Sequence, residues 1–520
     1  MGLSAGIFVI ACALRFPRLS SRVIPSVAVA THVLVLMLLG IGCAIPHEEP
    51  QDFDDFNVIL IVVDTLRADH LGCYGYTRNT SPVIDSLAKS SIIFEMAFSN
   101  SSLTPESISS LFTGRRPSHG GHTGLAARPH DSFTTLAEYL QRNGYRTGFF
   151  TSNLILKHAA NFQGFDEVEF VIPGSATSGN NLRLSKRAIQ FVESNRRSKF
   201  FMYVHFMDPH GPYEPPPELY RRFARHEIDE PILLYNEVRS NVRKLALSNF
   251  GPGDPRFEDM IDRYDAELAD TDRAIGKLLE AVERLGLSEK TLVILTADHG
   301  EEFLEHGYVE HGWTLFRESI HVPLIVHQPA KLAPRKIRRP VELVDLFPTL
   351  IELLQFDYEG QGFDGAPFIT RTGDVLDFDS PERPIIAEML HGKRGDHRVV
   401  IFEGWKLMHV RHPLSIQERE ELIGTEEADF WDIWNGKLIF ERDTWGAPAY
   451  EALFNIAKDP SETTNLIDEY PDKAEELRAI LRNYKIEVQR DAPIKRTQDS
   501  TSAPNDKSFT EKLRALGYVN

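Results

Sequence analysis

Cysteine is scarce in this chain, with only 3 among 520 residues. Cys12 and Cys43 lie in an apolar N-terminal region, so Cys73 is the single cysteine of the remaining sequence. A disulfide within the folded body is therefore excluded, and no cysteine spacing suggests a metal or catalytic motif. We interpret Cys73, which is followed by Tyr-Gly-Tyr in a predicted loop, as a structural residue.

Positive charge is also sparse relative to negative charge. The chain contains 57 Lys and Arg against 75 Asp and Glu, which gives a formal net charge of -18 and a pI near 5.5. There is no long basic run of the kind that follows a phosphate backbone, so a nucleic-acid partner is not expected. The 42% of hydrophobic residues suit a large globular α/β core with an additional subdomain.

The N-terminal region combines arginines with a long apolar segment over residues 23–43. Basic residues before an apolar core are the layout of an export signal, and the segment approaches the roughly 20 residues that span a bilayer. Its end, from Gly40 to Cys43, resembles a bacterial lipoprotein signal, in which the cysteine is lipidated after cleavage. Residues 1–43 are therefore predicted to be a lipoprotein signal or a membrane anchor, followed by a linker over residues 44–56. Either form would tether the body to a membrane, outside the cytoplasm.

Two short apolar runs, far apart in the sequence, each lead to an acidic residue. Val58–Val63 stops at Asp64, and Leu292–Leu295 leads through Thr-Ala to Asp298 and His299. Such runs are typical of buried parallel strands, and ligands of open α/β sheets bind beyond the carboxyl ends of the strands. Two carboxylates and an imidazole converging at one sheet edge predict a divalent metal site.

Strand-like and helix-like segments alternate through the body of the chain. Apolar runs recur at 199–204 and 322–326, and residues 262–286 carry apolar positions at helical spacing. This alternation predicts an α/β fold built on a mainly parallel sheet with helices on both faces. Residues 220–260 fit the pattern least and are predicted to be an irregular insertion.

The pattern of predicted secondary structure changes beyond residue 360. Short strand-like runs separated by turns predict a smaller antiparallel sheet, and a helix follows it. We therefore expect a catalytic domain over residues 57–360 and a C-terminal subdomain over residues 361–490. Residues 491–520 are expected to form a tail with a terminal helix.

Several short motifs follow one another in order from near residue 56 to the end of the chain. They are Val63–Asp69, Leu111–Arg115, Gly144–Gly148, Asp208–Tyr213, Ala297–Glu301, Gly404–Leu407, Asp459–Glu462 and Leu516–Val519. In this order they resemble the sulfatase family of the alkaline phosphatase superfamily. The resemblance implies an alkaline-phosphatase-like three-layer sandwich with one divalent metal ion (Ca²⁺, Mn²⁺ or Zn²⁺) at a site for anionic tetrahedral esters. Asp64, Asp298 and His299 match the family's metal ligands.

The nucleophile position departs from the family. Counting back from Thr113 and Gly114, the family's Cys-x-Pro-Ser-Arg falls on residues 104–108, which read Thr-Pro-Glu-Ser-Ile. Threonine cannot be oxidised to the formylglycine of sulfatases, and Ile108 replaces the supporting arginine. A threonine here resembles the superfamily's envelope phosphotransferases and phosphodiesterases, which form a phosphothreonine intermediate. The resemblance therefore implies that Thr104 is both the nucleophile and a metal ligand.

Two other positions differ from the family pattern. Thr65 stands where sulfatases usually carry a second acidic ligand. Ser152 and Asn153 occupy the segment in which sulfatases carry a lysine and a histidine that bind sulfate. The comparison therefore implies a metal site poorer in carboxylate and a weaker sulfate pocket.

The residues around Thr104 also favour its reactivity on physical grounds. Thr-Pro-Glu-Ser predicts a helix start, with Thr104 as N-cap and Pro105 as the first helical residue. A helix N-terminus favours an anionic ester and an alkoxide, and a neighbouring metal ion lowers the pKa of a hydroxyl. The alternative is that Thr104 only caps a helix. Ser107 is the second candidate nucleophile and a predicted substrate contact.

Several histidines and acids complete the predicted site. His210 and His311 match positions of substrate or metal contacts, and His210 is expected to bind the ester oxyanion or protonate the leaving group. Both have an alternative interpretation as ordinary loop histidines. His306 is a further ligand candidate, whereas Glu301 and Glu302 are expected to lie outside the direct ligands of the metal.

These features predict a metal-dependent hydrolase of sulfuric or phosphoric esters, with phosphoesters favoured. The expected substrate is a small-molecule, glycan or lipid ester. The expected location is the cell envelope, tethered to a membrane and facing the periplasm or the exterior. Two alternatives stay open, which are a transferase of phosphoryl-linked headgroups and an inactive binding protein that keeps the fold.

Overall fold

The protein is described by a computed structural model. It describes residues 55–124, 128–159, 162–171, 180–226, 228, 250–360, 362–372, 375–379, 381–391, 395–411, 441–442 and 448–491. The predicted N-terminal anchor and the predicted terminal helix lie outside these residues. Within them, no helix is both long enough and apolar enough to cross a membrane.

Eighteen strands are present in the described residues. They are β1 (Asn57–Val63), β2 (Ile92–Phe98), β3 (Arg146–Thr151), β4 (Glu167–Phe170), β5 (Phe200–Phe206), β6 (Thr291–Ala297), β7 (Glu302–Phe303), β8 (Val309–Glu310), β9 (His321–His327), β10 (Arg335–Ile337), β11 (Val341–Glu342), β12 (Thr370–Thr372), β13 (Val375–Asp377), β14 (Ile385–His391), β15 (Gly395–Phe402), β16 (Trp405–Arg411), β17 (Glu441–Arg442) and β18 (Pro448–Asn455).

The central sheet follows the order β10-β2-β9-β6-β1-β5-β3-β4, and β11 also pairs with β2. Every pair in it is parallel except the two pairs made by β9. All seven residues of β1, β5 and β6 are buried, as expected for strands covered on both faces. The predicted mainly parallel sheet is therefore confirmed.

Helices flank this sheet in two groups, which completes the predicted three-layer arrangement. The described helices are α1 (Pro82–Ala88), α2 (Thr104–Thr113), α3 (Pro117–Gly120), α4 (Leu136–Arg142), α5 (Leu156–Ala159), α6 (Asn180–Asn195), α7 (Pro217–Phe223), α8 (Pro255–Arg284), α9 (Arg317–Ile320), α10 (Leu346–Leu354) and α11 (Pro471–Asp491). One group packs α1, α6 and α7 against α8, and the other packs α4 and α10 against α2.

Helix α8 begins seven residues before the predicted start at 262. The side chain of Asp254 accepts a hydrogen bond from the backbone of Arg256, and Pro255 occupies the first turn. These are favourable start signals, and Phe257, Met260 and Tyr264 are buried at helical spacing, but the prediction used only the apolar positions from Leu268 onward. The second half of helix α7 and the first turns of α8 therefore lie inside the segment 220–260 that was predicted to be irregular.

The C-terminal part forms a separate antiparallel sheet in the order β14-β15-β16-β18-β17. Its buried residues divide between two apolar clusters, one of which includes Leu315, Phe316 and Ile320 of the catalytic part. The other includes Leu477 and Leu481 of α11. The predicted antiparallel sheet is confirmed, and it packs directly against the segment that precedes β9.

Candidate metal centre and active site

The site lies at the carboxyl ends of β1 and β6. These strands are parallel neighbours, and Val63 pairs with Ala297. The next residues, Asp64 and Asp298, are therefore brought side by side at the sheet edge, and both are fully buried. The convergence that the sequence predicted for these two residues is present in the structure.

Asp64, Asp298 and His299 offer ligand atoms that all lie within 4.8 Å of one another. The imidazole Nε2 of His299 is 3.5 Å from Asp298 Oδ2 and 3.8 Å from Asp64 Oδ1. His299 Nδ1 donates to the carbonyl of Gly300 at 2.9 Å. Because that bond places the ring proton on Nδ1, Nε2 presents a lone pair to the carboxylates.

Each carboxylate has one oxygen that accepts hydrogen bonds and one that accepts none. Asp298 Oδ1 accepts from the backbone N–H groups of Thr65 (3.3 Å) and His299 (2.9 Å). Asp298 Oδ2 and Asp64 Oδ1 are buried without a hydrogen-bond partner. A buried charge without compensation is costly, and bare carboxylate oxygens beside an imidazole lone pair suit a divalent cation.

The two carboxyl groups have opposite pKa shifts. Burial, and then the charge of Asp64, raise the pKa of Asp298. Burial alone would raise the pKa of Asp64 as well, but the hydrogen bond with His205 and the nearby imidazoles lower it. Of the two acids, Asp298 therefore holds a proton more readily than Asp64.

Thr104 lies beside this cluster. Its Oγ1 is 3.0 Å from His299 Nε2, and it is buried at the start of α2. The predicted cap was wrong by one position, because Leu103 is the N-cap and no side chain caps the helix. The hydroxyl of Thr104 therefore does not cap the helix. It contacts His299 and lies at the N-terminus of α2, which carries a partial positive charge.

Ser107 lies one turn further into α2 and has a different role from the predicted substrate contact. Its hydroxyl donates to the backbone carbonyl of Asp298 at 2.6 Å and accepts from the hydroxyl of Ser99 at 3.1 Å. The side chain is fully buried. In the structure, Ser107 thus supports the loop that carries Asp298.

The rings of His210 and His311 extend the cluster. The ring centre of His311 is 4.3 Å from that of His299 and 4.8 Å from that of His210. His210 Nδ1 donates to the carbonyl of Gly211 at 2.6 Å, and His311 Nδ1 lies 2.9 Å from Glu301 Oε1. Burial lowers the pKa of His210 although the charge of Asp64 opposes this. His210 must therefore gain a proton before it can act as a general acid.

His306 is not a metal ligand in this structure. Its Nδ1 pairs with Glu318 at 2.6 Å, its Nε2 lies 3.1 Å from the carbonyl of Glu462, and its ring stacks on Phe316. The hypothesis of a further ligand is therefore wrong. Glu302 lies outside the three-residue metal cluster as expected, and accepts from Thr314 and Ser319.

Sequence reasoning missed the residues that hold Asp64 in place. Asp64 Oδ2 accepts from Asn153 Nδ2 at 2.5 Å and lies 3.3 Å from His205 Nε2. The hydroxyl of Tyr203 lies 2.7 Å from His205 Nδ1. No local signal in the sequence marks these contacts, because the contact of His205 follows from the pairing of His205 on β5 with Val62 on β1.

Thr65 stands out by its backbone. Its φ of 55° is unusual for a β-branched residue, and its buried Oγ1 has no hydrogen-bond partner. The conformation is held from both sides, because Tyr264 donates to the Thr65 carbonyl at 2.8 Å and the Thr65 N–H reaches Asp298. Strain of this kind is usually kept where a site requires it.

The chain is similar to known sulfatases in sequence. The family model described as Sulfatase matches residues 56–356. Iduronate 2-sulfatase of Homo sapiens is 28% identical over 401 residues, which cover 62% of this chain and 72% of that protein. Arylsulfatase K of Canis lupus familiaris is 23% identical over 483 residues, which cover 83% of each chain.

Solved structures share the same fold. A protein in complex with its substrate D-glucosamine-2-N,6-O-disulfate superposes with a TM-score of 0.63 at 17% identity, over 84% of this chain and 99% of that one. The phosphonate monoester hydrolase of Agrobacterium radiobacter gives 0.61 at 19% identity, over 83% and 96%. Because the family model spans more than half of the 520 residues, the chain belongs to the sulfatase family of the alkaline phosphatase superfamily, a family of ester hydrolases.

Proposed function

We propose that this sulfatase-family chain is a metal-dependent hydrolase that uses Thr104 as its nucleophile and prefers phosphoric esters. The observation that carries the proposal is the position of Thr104 Oγ1, 3.0 Å from His299 Nε2 at the N-terminus of α2. The hydroxyl thus lies where the metal cluster, the helix dipole and the buried histidines act together. Such surroundings lower the pKa of a hydroxyl and stabilise an anionic ester.

Threonine chemistry favours phosphorus over sulfur. A formylglycine hydrate has two hydroxyl groups, so it can expel sulfate by collapse to the aldehyde. Thr104 has one hydroxyl, so its covalent ester has to be cleaved by an incoming water or acceptor. The threonine enzymes that the sequence resembles form such a phosphothreonine, which an incoming water or acceptor then cleaves.

Each residue then has a defined role. Asp64, Asp298 and His299 would hold the divalent ion, which supplies Lewis acidity at an ester oxygen and lowers the pKa of the Thr104 hydroxyl. The Thr104 hydroxyl gives up its proton to water, and its Oγ1 forms the new bond to phosphorus while the bond to the leaving oxygen breaks. The leaving oxygen takes its proton from the protonated form of His210. His311 lies beside His210. Water then cleaves the Thr104 ester and restores the hydroxyl.

Substrate and location extend the proposal. The relatives include a sulfatase named for iduronate, and a structural neighbour was solved with a disulfated glucosamine. A glycan ester is therefore one natural substrate class, beside small-molecule and lipid esters. The arginine-flanked apolar segment before residue 44 supports a membrane-tethered position in the cell envelope, facing the periplasm or the exterior.

The test is turnover by the full-length chain in detergent. Nitrophenyl phosphate, bis-nitrophenyl phosphate and nitrophenyl sulfate are compared after EDTA treatment and after addition of Mn²⁺, Zn²⁺ or Ca²⁺. We expect metal-restored cleavage of a phosphoester that falls by roughly 10³-fold or more in Thr104→Ala and partly returns in Thr104→Ser. Thr463→Ala, at an exposed threonine, is the matched control.

Three results would contradict the proposal. Cleavage of the sulfate ester alone would show that the substrate preference is wrong. Unchanged turnover in Thr104→Ala would remove Thr104 from the mechanism. Bound metal without turnover of any ester would favour a transferase or a binding protein.

A further inference from the structure

The carboxylate of Asp64 is held on one side by two side-chain donors, which come from the ends of neighbouring strands. Asn153 Nδ2 lies 2.5 Å from Asp64 Oδ2, and His205 Nε2 lies 3.3 Å from the same oxygen. Asp64 Oδ1 accepts no hydrogen bond and is buried. The two contacts therefore select which oxygen of Asp64 stays bare on the side of Asp298 and His299.

We propose that Asn153 and His205 are positioning residues that fix Asp64 for cation binding through its Oδ1 atom. The proposal rests on the metal site of the proposed function, but not on the nucleophile or on the substrate. It assigns to Asn153 a role in holding a ligand, in the segment where the family resemblance implies contacts to sulfate.

The amide of Asn153 has only one orientation that satisfies its neighbours. Its Oδ1 accepts from the backbone N–H of Ile155 at 2.9 Å, and its own backbone N–H donates to Thr151 Oγ1 at 2.9 Å. The oxygen end is thereby fixed, so the NH₂ end is directed at Asp64. Ser152, next in the chain, accepts from the backbone of Met207 at 3.0 Å and takes no part in holding Asp64.

His205 is oriented by Tyr203 on the same strand. The Tyr203 hydroxyl lies 2.7 Å from His205 Nδ1, and burial raises the pKa of Tyr203 well above its usual value. The hydroxyl therefore keeps its proton and donates it to Nδ1. Because Nδ1 accepts from Tyr203, a ring proton lies on Nε2, where it is donated to Asp64.

The two carboxylates of the site differ in how they are held. Asp298 Oδ1 is fixed by backbone N–H groups, which substitution does not remove. Asp64 Oδ2 is fixed by two side chains, from the ends of β3 and β5. Residues that hydrogen-bond to a metal ligand commonly change metal affinity by about 10- to 100-fold. The contribution of Asn153 and His205 can therefore be measured by substituting their side chains.

The experiment measures the affinity of the full-length chain for Mn²⁺ by competition with a chelating dye, together with the melting temperature without metal. Asn153→Ala and His205→Leu are expected to weaken Mn²⁺ binding by about 10- to 100-fold. His205→Gln, whose amide can replace the Nε2 donor, should keep most of the affinity. Ser152→Ala is the matched control in the same loop and should bind like the unmodified chain.

A purely structural role would lower the melting temperature of the metal-free variants and leave Mn²⁺ affinity unchanged, and that result would overturn the proposal. An equal loss of affinity in Ser152→Ala would overturn it too, because the effect would then belong to the loop as a whole. If Asn153→Ala does not fold, the pair His205→Leu and His205→Gln decides the question. Absence of Mn²⁺ binding by the unmodified chain would instead refute the metal site itself.

Discussion

Lys406 and Glu462 form a buried ion pair in the C-terminal part, and each of them also contacts the segment that precedes β9. Lys406 Nζ lies 2.8 and 2.7 Å from the two carboxylate oxygens of Glu462, and it also donates to the carbonyl of Leu315 at 2.7 Å. The side chain of Lys406 is fully buried. Glu462 also accepts from the backbone of Arg317. The two C-terminal motifs of the sequence therefore meet on the segment that carries His311.

Replacing Lys406 by Met should destabilise the protein strongly. Glu462 would keep a buried charge without its partner, and breaking a buried pair costs about 3–5 kcal/mol. Thermal unfolding of the full-length chain measures the effect. Adding Glu462→Leu to Lys406→Met should recover much of the loss. Lys277→Met, which removes an exposed lysine paired with Glu280, should change stability by less than about 0.5 kcal/mol.

Metal binding should stabilise the folded chain. An ion that binds only the folded state contributes about 2.7 kcal/mol when its concentration is 100 times Kd. We therefore expect EDTA to lower the melting temperature and added Mn²⁺ to restore it. Asp298→Asn should abolish this response, while the metal-free variant stays at least as stable because a buried charge is removed. The exposed Asp468→Asn should respond to Mn²⁺ normally; an undiminished response in Asp298→Asn would contradict the ligand assignment.

Gly300 should tolerate no side chain. A Cβ at this position would lie 1.9 Å from the carbonyl oxygen of Glu318, so the loop that carries His299 would have to move. Gly300→Ala is expected to cost about 1–3 kcal/mol and to weaken Mn²⁺ binding. Gly251→Ala is the control, because its nearest neighbour would be a Leu304 side-chain carbon at 3.9 Å. Melting and Mn²⁺ affinity equal to those of the unmodified chain would refute the expected clash.

Glu302 should make stability fall with rising pH. Burial, and then the charge of Glu318, raise its pKa to about 8, although hydrogen bonds from Ser319 and Thr314 oppose the shift. The folded state then holds a proton that the unfolded state releases near pH 4.5. The contribution of Glu302 to the free energy of unfolding is therefore fully present below pH 4.5 and is lost as the pH rises towards 8. Glu302→Gln should flatten this decline in melting curves between pH 5 and 8; an unchanged slope would exclude Glu302 as its source.

The main features of the fold were predictable because local patterns agree with burial. Strands β1 and β6 were visible as β-branched runs, and their full burial between two helix layers is what such runs indicate. The start of α8 was missed because the prediction used only the apolar positions from Leu268 onward, although Asp254 and Pro255 signal the start and Phe257, Met260 and Tyr264 are buried at helical spacing. Apolar periodicity reports the face that packs and says little about the ends of a helix.

The site was predictable where its residues follow strands directly. Asp64, Asp298 and His299 come immediately after β1 and β6, so sheet geometry alone brings them together. Thr104 was found through the family resemblance, and its contact with His299 lay outside what local pattern could show. The assignment of a ligand role to His306 failed because a histidine in a loop carries no sign of its partners.

The sequence by itself determined the parallel sheet and the cluster of Asp64, Asp298 and His299, because strand composition and strand ends are local properties. Tertiary structure alone decided that Asn153 and His205 hold Asp64, and that Lys406 reaches Glu462. These contacts depend on which strands become neighbours and on which buried polar groups must find partners. A buried donor or acceptor forms its hydrogen bond with a group that packing brings within about 3 Å, and that group is usually distant in the sequence.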